Sequence, residues 1–445
     1  MKKTGIFLYA FYLIICTFCG LSFPLLRKNI NYLYLFIPAF VLLSLFVGVF
    51  SAKMPSLRLR VCRHGALLLA VFLPSACVAV IHHVVLAFKM IPGDWKSWLW
   101  HALFAFGFYF VIFWNGIICV YLTSAQLGIR QRAIGLICGL IPVANVFCLV
   151  SIIKTTLREV KFEAEKEEIN RARSGERVCA TKYPILLVHG VCFRDSKIFN
   201  YWGRIPRELE RNGARVFYGN HHSASSVAFC GEELAERIRE IVRETGAEKV
   251  NIIAHSKGGL DCRYAIAKCG VSGLVASLTT INSPHRGCQY ADTLLTVIPS
   301  QVQDKVATTY NKALRHLGDI SPDFLTAMSN LTASYCAELA LELDDAVEKH
   351  GIYRQSVGSI MGSAKSAGFP LNYFYMVVKD FDGPNDGLVS DRSFEFGEKF
   401  TLLTPTTKRG ISHMDVIDMA KLDVPDFDVR DFYVQLVNDL RLRGL

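Results

Sequence analysis

The stretch KVNIIAHSKGG, residues 249–259, determines the fold of the C-terminal part of this chain. Its first half is a short apolar run that predicts a buried strand, and a helix follows at once. In such a strand-turn-helix step a serine is held in strained backbone with its hydroxyl at a helix N-terminus. Small residues at 254 and 258 are needed because larger ones would collide with neighbouring strands. Ser256 is therefore a candidate nucleophile, although an isolated motif of this kind also occurs by chance.

The sequence around this step alternates between strands and helices. It predicts strands at 183–191, 214–221, 249–256, 275–284, 372–380 and 399–405, and helices at 201–213, 231–246, 259–269 and 429–443. Continuous apolar strands in this alternation predict a doubly wound, mostly parallel α/β sheet with helices on both faces. Residues 287–360 have apolar faces at helical spacing, which predicts either a lid over the cleft or permanent core helices.

Two residues further along the chain complete a candidate catalytic set. Asp386 lies in GPNDGLVS after the strand at 372–380, and His413 lies in ISHMD after the strand at 399–405. The order serine, acid, histidine is the one that this type of sheet requires. A carboxylate at 386 would fix the tautomer of the imidazole, which would act as general base. Asp380 and Asp382 are competing acids, and the alternative for His413 is an exposed loop histidine.

The step His189-Gly190 ends the first strand where an oxyanion loop is expected. Backbone N–H groups of Val191 and Lys257 would then face the developing oxyanion. His189, Gly190 and Gly258 are predicted to support this site. His189 and His255 are interpreted as structural braces rather than as groups that transfer protons.

Five segments together resemble the bacterial triacylglycerol lipase and esterase family of the α/β-hydrolase fold: YPILLVHG, AHSKGGLDCRY, INSPHRG, NDGLVS and ISHMD, within residues 183–445. The resemblance implies a carboxylic ester hydrolase with Ser256 as nucleophile, Asp386 as acid and His413 as base. It also implies main-chain oxyanion donors at Val191 and Lys257.

The same resemblance raises the question of a metal. In some family members an aspartate two residues after the catalytic histidine binds a structural calcium, together with a second aspartate some twenty residues before the acid. Asp415 matches the first aspartate, but residues 358–373 offer no second one. We therefore predict no cofactor and no metal, with calcium near Asp415 as the alternative.

The N-terminal part has a different composition. The chain is 51% hydrophobic, and five apolar runs lie at 5–26, 31–52, 65–88, 100–124 and 133–153. Each is close to the ~20 residues that a membrane-spanning helix needs. We predict a transmembrane domain over 1–153, a charged helical linker over 154–177 and a hydrolase domain over 178–445. A signal peptide is the alternative for the first run. His82 and His83, in the third run, are either a proton or metal site or residues of the bundle interior or membrane interface.

Charge and cysteine content limit the partners and the compartment. The net charge is +10, but residues 1–153 hold twelve basic residues and one acid, so the remainder is near neutral and nucleic-acid binding is excluded. Cysteine spacing matches no zinc site. The basic loop residues divide equally between the two membrane faces. An odd number of cysteines in the catalytic half favours a reducing compartment, so we predict a plasma-membrane protein with a cytoplasmic hydrolase domain.

These features predict a membrane-anchored serine hydrolase that cleaves lipid esters through an acyl-enzyme on Ser256. One alternative is an acyltransferase that passes the acyl group to an alcohol or amine of a membrane lipid. Another is a transporter or receptor whose hydrolase-like domain is regulatory. No protein partner is predicted from the sequence.

Overall fold

The computed structural model describes residues 54, 56–139, 141, 143–173, 175–191, 200–316, 319, 321–348, 350–404 and 407–445. The chain divides into two compact units, Met1–Ala172 and Arg173–Leu445. This division falls within the charged segment predicted as a linker.

An apolar helical hairpin forms the described core of the first unit. Helix α1, Leu57–Thr123, is interrupted at Asp94, whose φ of −144° and ψ of 67° are non-helical. Leu68 in the first arm packs with Phe108 and Ile112 in the second. The interruption lies between the predicted runs at 65–88 and 100–124, which are the two arms.

Among the described residues, α1 is the helix that is long and apolar enough to cross a membrane by length and composition. The runs at 5–26 and 31–52 lie outside the described residues. The prediction of five membrane spans is therefore not confirmed.

The run at 133–153 is not one crossing helix, which corrects the predicted fifth span. It divides into α2, Ile129–Cys138, and α3, Ala144–Arg173. The ten residues of α2 extend only about 15 Å, half the thickness of a hydrocarbon core. The amide nitrogen of Gln131 lies 3.1 Å from the hydroxyls of Ser151 and Thr155, so α2 and α3 lie side by side. The predicted linker helix is the continuation of α3.

A buried carboxylate joins α3 to both ends of α1. Glu159, which is 1% exposed, accepts hydrogen bonds from Arg58 at 2.6 Å and from the hydroxyl of Ser124 at 2.6 Å. It also accepts the backbone N–H groups of Ala125 and Gln126. The start of α1, its end and the middle of α3 therefore meet at one end of the hairpin.

The second unit is built on a six-stranded parallel sheet. The strands are β1 Ile185–Val188, β2 Val216–Tyr218, β3 Val250–His255, β4 Val275–Ile281, β5 Tyr353–Ser359 and β6 Lys399–Leu403, in the spatial order β2-β1-β3-β4-β5-β6. The predicted doubly wound α/β fold is confirmed. In this order β3 lies inside the sheet, so its C-terminal end opens at the centre of one edge.

Helices cover both faces of the sheet. On one face lie α4, Ile205–Arg211, and α12, Val429–Leu442, whose apolar residues join a cluster with Ile185 and Ile253. On the other lie α5, Val227–Thr245, and α6, Lys257–Lys268, whose apolar residues pack on Leu186 and Ile252. Side chains alternate between the two faces along each strand, and both sets are apolar because both faces are buried.

The predicted helical insertion is present between β4 and β5. It contains α7 Gln289–Val297, α8 Ser300–His316, α9 Phe324–Ser329 and α10 Ala333–Glu348. Its predicted end at 360 is too late, because β5 begins at Tyr353. This strand is hidden in the sequence because its buried residues include Gln355, Ser356 and Ser359.

The predicted strand at 372–380 is wrong. This segment is helix α11, Leu371–Asp382. Aromatic and β-branched residues favour a strand here, but the buried positions Leu371, Tyr375, Val378 and Asp382 are spaced by three and four residues. That spacing places them on one helical face, and packing of this face decides the conformation.

Candidate active site

The turn between β3 and α6 holds Ser256 in strained backbone. Ser256 has φ 56° and ψ −133°, which a non-glycine residue rarely adopts. Its N–H donates to the carbonyl oxygen of Ile281 at 2.9 Å, so the turn remains attached to β4. An added Cβ at Gly258 would lie 2.4 Å from the carbonyl oxygen of His189, and one at Gly259 would lie 2.3 Å from the hydroxyl of Ser283. The small residues of the motif are therefore required by close approach.

Asp386 and His413 are in direct contact. His413 Nδ1 lies 2.6 Å from Asp386 Oδ2, and the backbone N–H of His413 donates to the backbone oxygen of Asp386 at 2.8 Å. The other carboxylate oxygen accepts the N–H groups of Leu388 and Val389 at 2.9 and 2.8 Å. Asp386 is fully buried. These bonds fix the carboxylate, and the carboxylate fixes the imidazole.

Asn282 connects this pair to the Ser256 turn. It follows β4, whose last residue Ile281 is paired in register with His255. The Asn282 side-chain amide donates to Asp386 Oδ2 at 2.6 Å and to the Ser359 hydroxyl at 2.7 Å. Asp386 Oδ2 therefore contacts both the imidazole and an amide from the strand beside the nucleophile candidate.

Ser256 and His413 are neighbours through His255. The rings of His255 and His413 have centroids 4.4 Å apart. Within the part of the chain that the structure describes, no hydrogen bond joins the Ser256 hydroxyl to the imidazole of His413. Such bonds are often long without substrate and shorten when substrate binds.

The competing acids lie elsewhere. Asp380 is exposed, and Asp382 accepts the backbone N–H groups of Gln289 and Tyr290 at 3.3 Å. Neither is hydrogen-bonded to His413, whose described partner is Asp386. Geometry therefore favours Asp386 over its two competitors.

The predicted oxyanion loop contacts the turn. A Cβ at Gly190 would lie 2.7 Å from the Cβ of Ser256, so the loop after β1 passes directly over the serine. Val191 follows Gly190 and packs on Ala224 and Leu314. Lys257 begins α6, and the first N–H groups of a helix have no partner within it. Val191 is thus one residue from the point where the loop approaches Ser256, and Lys257 follows Ser256 in the chain; their role as donors stays a prediction.

Both predicted brace histidines are buried and contact backbone or neutral groups. His189 Nδ1 lies 2.9 Å from the carbonyl oxygen of Gly190, and burial followed by the neighbouring His221 holds its pKa well below 6.5. His255 Nδ1 lies 2.6 Å from the hydroxyl of Tyr201, and burial followed by the neighbouring His413 lowers its pKa in the same way. Neutral rings suit the bracing role.

Sequence reasoning missed two contributors to this site. Tyr201 lies in no recognisable motif, yet its hydroxyl accepts the Gly190 N–H at 3.0 Å. Asn282 lies in the segment INSPHRG, but its contact with Asp386 joins residues 104 apart in sequence. A polar residue directly after a buried strand was the available signal for Asn282. No comparable signal exists for Tyr201.

The residues near Asp415 do not fit a calcium ion. Its carboxylate binds the guanidinium of Arg409 at 2.8 and 3.1 Å and the hydroxyl of Ser412 at 2.7 Å. A cation already neutralises this carboxylate. The described residues include no group of three or more acidic, histidine or cysteine side chains able to hold a metal. His83, which was considered with His82 as a proton or metal site, lies in the first unit. Its Nδ1 is 2.7 Å from the backbone oxygen of Ala79 in the same helix.

Comparison with known proteins agrees with this geometry. Residues 183–368 match the family model described as alpha/beta hydrolase fold. A triacylglycerol lipase of Vibrio cholerae is 30% identical over 301 residues, covering 62% of this chain and 92% of that protein. The chain therefore belongs to the triacylglycerol lipase family of carboxylic ester hydrolases.

Other relatives match over shorter stretches. A triacylglycerol lipase of Burkholderia plantarii is 34% identical over 178 residues, 37% of this chain and 49% of that protein. One from Pseudarthrobacter phenanthrenivorans is 35% identical over 170 residues, 36% of this chain and 53% of that protein. The chain spans about half the length of these two relatives. The solved lipase BlEst2 of Bacillus licheniformis is 21% identical and covers 58% of this chain and 92% of its own, with a TM-score of 0.44.

Proposed function

We propose that this protein is a membrane-anchored serine hydrolase that cleaves lipid esters through an acyl-enzyme on Ser256. The observation that carries the proposal is the buried hydrogen bond between His413 and Asp386, located beside the strained turn of Ser256. A fixed carboxylate, an imidazole and a hydroxyl at one sheet edge are the parts that acyl transfer requires.

In the first half-reaction the Ser256 oxygen attacks the ester carbonyl carbon, and His413 Nε2 takes the hydroxyl proton. Asp386 stabilises the resulting imidazolium through Nδ1. The N–H groups of Val191 and Lys257 donate to the oxyanion. His413 then gives its proton to the leaving alcohol as the carbon–oxygen bond breaks, which leaves the acyl group on Ser256.

In the second half-reaction water attacks the acyl-enzyme. His413 takes a proton from the water, the tetrahedral intermediate collapses, and Ser256 regains its proton as the carboxylic acid leaves. No metal is needed in either step, because the oxyanion donors are backbone groups.

Exposed apolar groups support a lipid substrate. Val297 in α7 and Val302, Val306 and Tyr310 in α8 are each more than 40% exposed. These helices belong to the insertion that follows β4, and we propose that they form a lid that meets lipid when it opens. The apolar hairpin α1 supplies the proposed membrane anchor.

The direct test is Ser256→Ala in the full-length protein. Hydrolysis of a p-nitrophenyl ester should fall by at least ~10⁴-fold, because nucleophile and base act as one unit. A serine-reactive phosphonate should label the wild type and leave the variant unlabelled. Ser272→Ala, a substitution of a half-buried serine in the 3-10 turn before β4, should keep full activity and labelling.

Retention of hydrolysis by Ser256→Ala would disprove the acyl-enzyme. Products should also be measured with and without a long-chain alcohol as acceptor. Free fatty acid as the main product in both cases supports hydrolysis. A new ester that replaces the acid when alcohol is present would instead identify an acyltransferase.

A further inference from the structure

A buried ion pair lies directly behind the Ser256 turn. The Lys257 ammonium is 2.6 Å from Asp261 Oδ1, one turn further along α6, and both side chains are at most 2% exposed. Burial disfavours the ammonium, but the adjacent carboxylate outweighs it, so the pKa of Lys257 lies above its ordinary 10.5. Lys257 is therefore charged, and its own backbone N–H is a proposed oxyanion donor.

The pair extends toward the other oxyanion donor. Asp261 Oδ2 lies 3.6 Å from His221 Nε2, and the ring of His221 stacks on that of His189 at 4.0 Å with an interplanar angle of 10°. His189 in turn contacts the carbonyl oxygen of Gly190 at 2.9 Å and that of His221 at 3.2 Å. A continuous buried path of four side chains thus links Lys257 to the loop that carries Val191.

Stability alone does not account for such a path. Burying two charges costs several kcal/mol per ion, and replacing a buried ion pair by apolar residues is often neutral or stabilising. An apolar cluster is already present beside the pair, since Leu260 of α6 packs with Leu339 and Leu343 of α10. The Lys257 ammonium also donates to the sulfur of Cys230 in α5 at 3.5 Å. A directional interaction at this place instead fixes the angle at which α6 begins.

We infer that Lys257, Asp261, His221 and His189 form a positioning cluster that holds the two backbone oxyanion donors at a fixed separation. The cluster touches no substrate atom and acts through the backbone of residues 190, 191 and 257. This inference rests on the proposed function. The proposed function uses only the backbone N–H of Lys257, and this inference adds a role for its side chain.

The test compares single variants with a double variant in the full-length protein. Lys257→Met and Asp261→Leu each leave one buried charge unpaired, so both should lower the melting temperature and kcat. The double variant K257M/D261L leaves no unpaired charge and should regain most of the melting temperature. If the cluster positions the donors, kcat of the double variant stays about 10- to 100-fold below wild type while KM changes by less than about threefold.

A boronic acid inhibitor separates positioning from packing. Its tetrahedral adduct with Ser256 places an oxygen where the oxyanion forms, so its affinity should fall by about the same factor as kcat. Asp261→Asn, which keeps the shape of the side chain, should show a smaller loss of kcat and of boronate affinity. It replaces the double variant in the test if that variant does not fold. K268M/E342L removes an exposed ion pair between α6 and α10, 3.4 Å long, and should leave kcat and boronate affinity unchanged.

The outcomes are distinguishable from those of the proposed function. Wild-type kcat and boronate affinity in the folded double variant, together with an inactive Ser256→Ala, would overturn the positioning role alone. Full activity of Ser256→Ala would overturn the acyl-enzyme, whatever the cluster variants show.

Discussion

At the scale of single residues, the site depends on backbone packed at van der Waals contact. Gly258 is the clearest case, because an added Cβ would lie 2.4 Å from the carbonyl oxygen of His189. The Gly258→Ala substitution must push the β1 loop away from the turn. We expect kcat to fall by about 100-fold or more, since small displacements of a catalytic group have effects of this size.

The measurement for Gly258→Ala is ester hydrolysis together with thermal unfolding. Gly273→Ala is the matched control, because nothing lies within 4 Å of a Cβ added there. The control should behave like the wild type. Equal activities of the two variants would show that the loop and the turn are not in close contact.

Asn282 provides a second residue-scale prediction. Its φ of 48° is left-handed, so Gly is the substitution that removes the side chain with little backbone strain. Asn282→Gly takes one donor from Asp386 Oδ2 and leaves the donors from Leu388 and Val389 in place. A hydrogen bond to a charged group contributes about 1.5–3 kcal/mol, so we expect kcat to fall by roughly 10- to 100-fold.

Steady-state kinetics and circular dichroism would check the Asn282 prediction. The variant should keep the wild-type spectrum and KM. An unchanged kcat would mean that the carboxylate is oriented sufficiently by the loop of residues 385–389 alone.

At the scale of elements, Glu159 joins α3 to the two ends of α1. Glu159→Ala leaves Arg58 and the N–H groups of Ala125 and Gln126 without their common acceptor. Arg58 is 41% exposed and can be solvated without Glu159, whereas the hydroxyl of Ser124 is buried. Losing hydrogen bonds to a charged group of this kind costs about 1.5–3 kcal/mol. We expect a lower melting temperature in detergent and protease cleavage near residue 125.

Glu165→Ala is the control on the same helix. Its carboxylate lies 3.7 Å from Lys161, with both side chains at least 60% exposed. A surface pair of this kind contributes about 0–1 kcal/mol. If the two variants unfold at the same temperature, Glu159 does not hold the hairpin together.

Strands whose buried residues are mostly apolar were the ones that sequence predicted well. Strands β1, β3 and β4 are rich in Val, Ile and Leu, and each was placed within a few residues. Strand β5 and helix α11 were missed because their patterns mislead: β5 buries Gln355 and Ser356, while α11 is rich in aromatic and β-branched residues. Tertiary packing decides both cases, and packing is not visible along the chain.

The candidate site was predictable to a similar degree. Ser256, Asp386 and His413 carry local motifs, since each sits in a turn whose shape its neighbours dictate. Tyr201 and the Lys257–Asp261 pair carry no such signal, because their roles depend on residues that only folding brings near. Local sequence therefore identifies reacting groups better than the groups that position them.

At the scale of the whole molecule, buried histidines predict how stability depends on pH. Burial is the largest cause that holds the pKa values of His189, His255 and His285 well below 6.5. In the unfolded chain they bind protons near pH 6.5, whereas in the folded protein they stay neutral. Stability is thus fully present above pH 6.5 and is lost as pH falls, by up to about 1.4 kcal/mol per pH unit for each histidine.

Thermal unfolding of the full-length protein between pH 7.5 and 5 tests this. The melting temperature should fall on acidification, and His285→Gln should make that fall less steep. His285 stacks on Phe396 and lies outside the catalytic set. His350→Gln changes an exposed histidine and should leave the slope unaltered. An identical slope for wild type and His285→Gln would exclude the contribution of this histidine.

The contacts of Glu159 also change the expected membrane topology. Since Glu159 meets both ends of α1, residues 56–63, 124–132 and 154–166 lie at one end of the hairpin. If the runs at 5–26 and 31–52 cross as predicted, the N-terminus and Lys53 are expected at that end as well. This end then holds twelve of the basic residues near the spans: Lys2, Lys3, Lys53, Arg58, Arg60, Arg63, Arg130, Arg132, Lys154, Arg158, Lys161 and Lys166.

The opposite end holds four, Arg27, Lys28, Lys89 and Lys96. Basic loops stay in the cytoplasm, so this imbalance predicts a cytoplasmic hydrolase unit, whereas five crossings would have balanced the two faces. Variants with a single cysteine in place of Arg243, Arg130 or Lys96 distinguish four crossings from five. Intact cells that produce each variant are treated with a membrane-impermeant maleimide. Lys96→Cys should be labelled at once, and Arg243→Cys and Arg130→Cys only after permeabilisation, because the predicted topology places positions 130 and 243 on the cytoplasmic side. Opposite behaviour of positions 130 and 243 would instead require that residues 133–153 cross the bilayer.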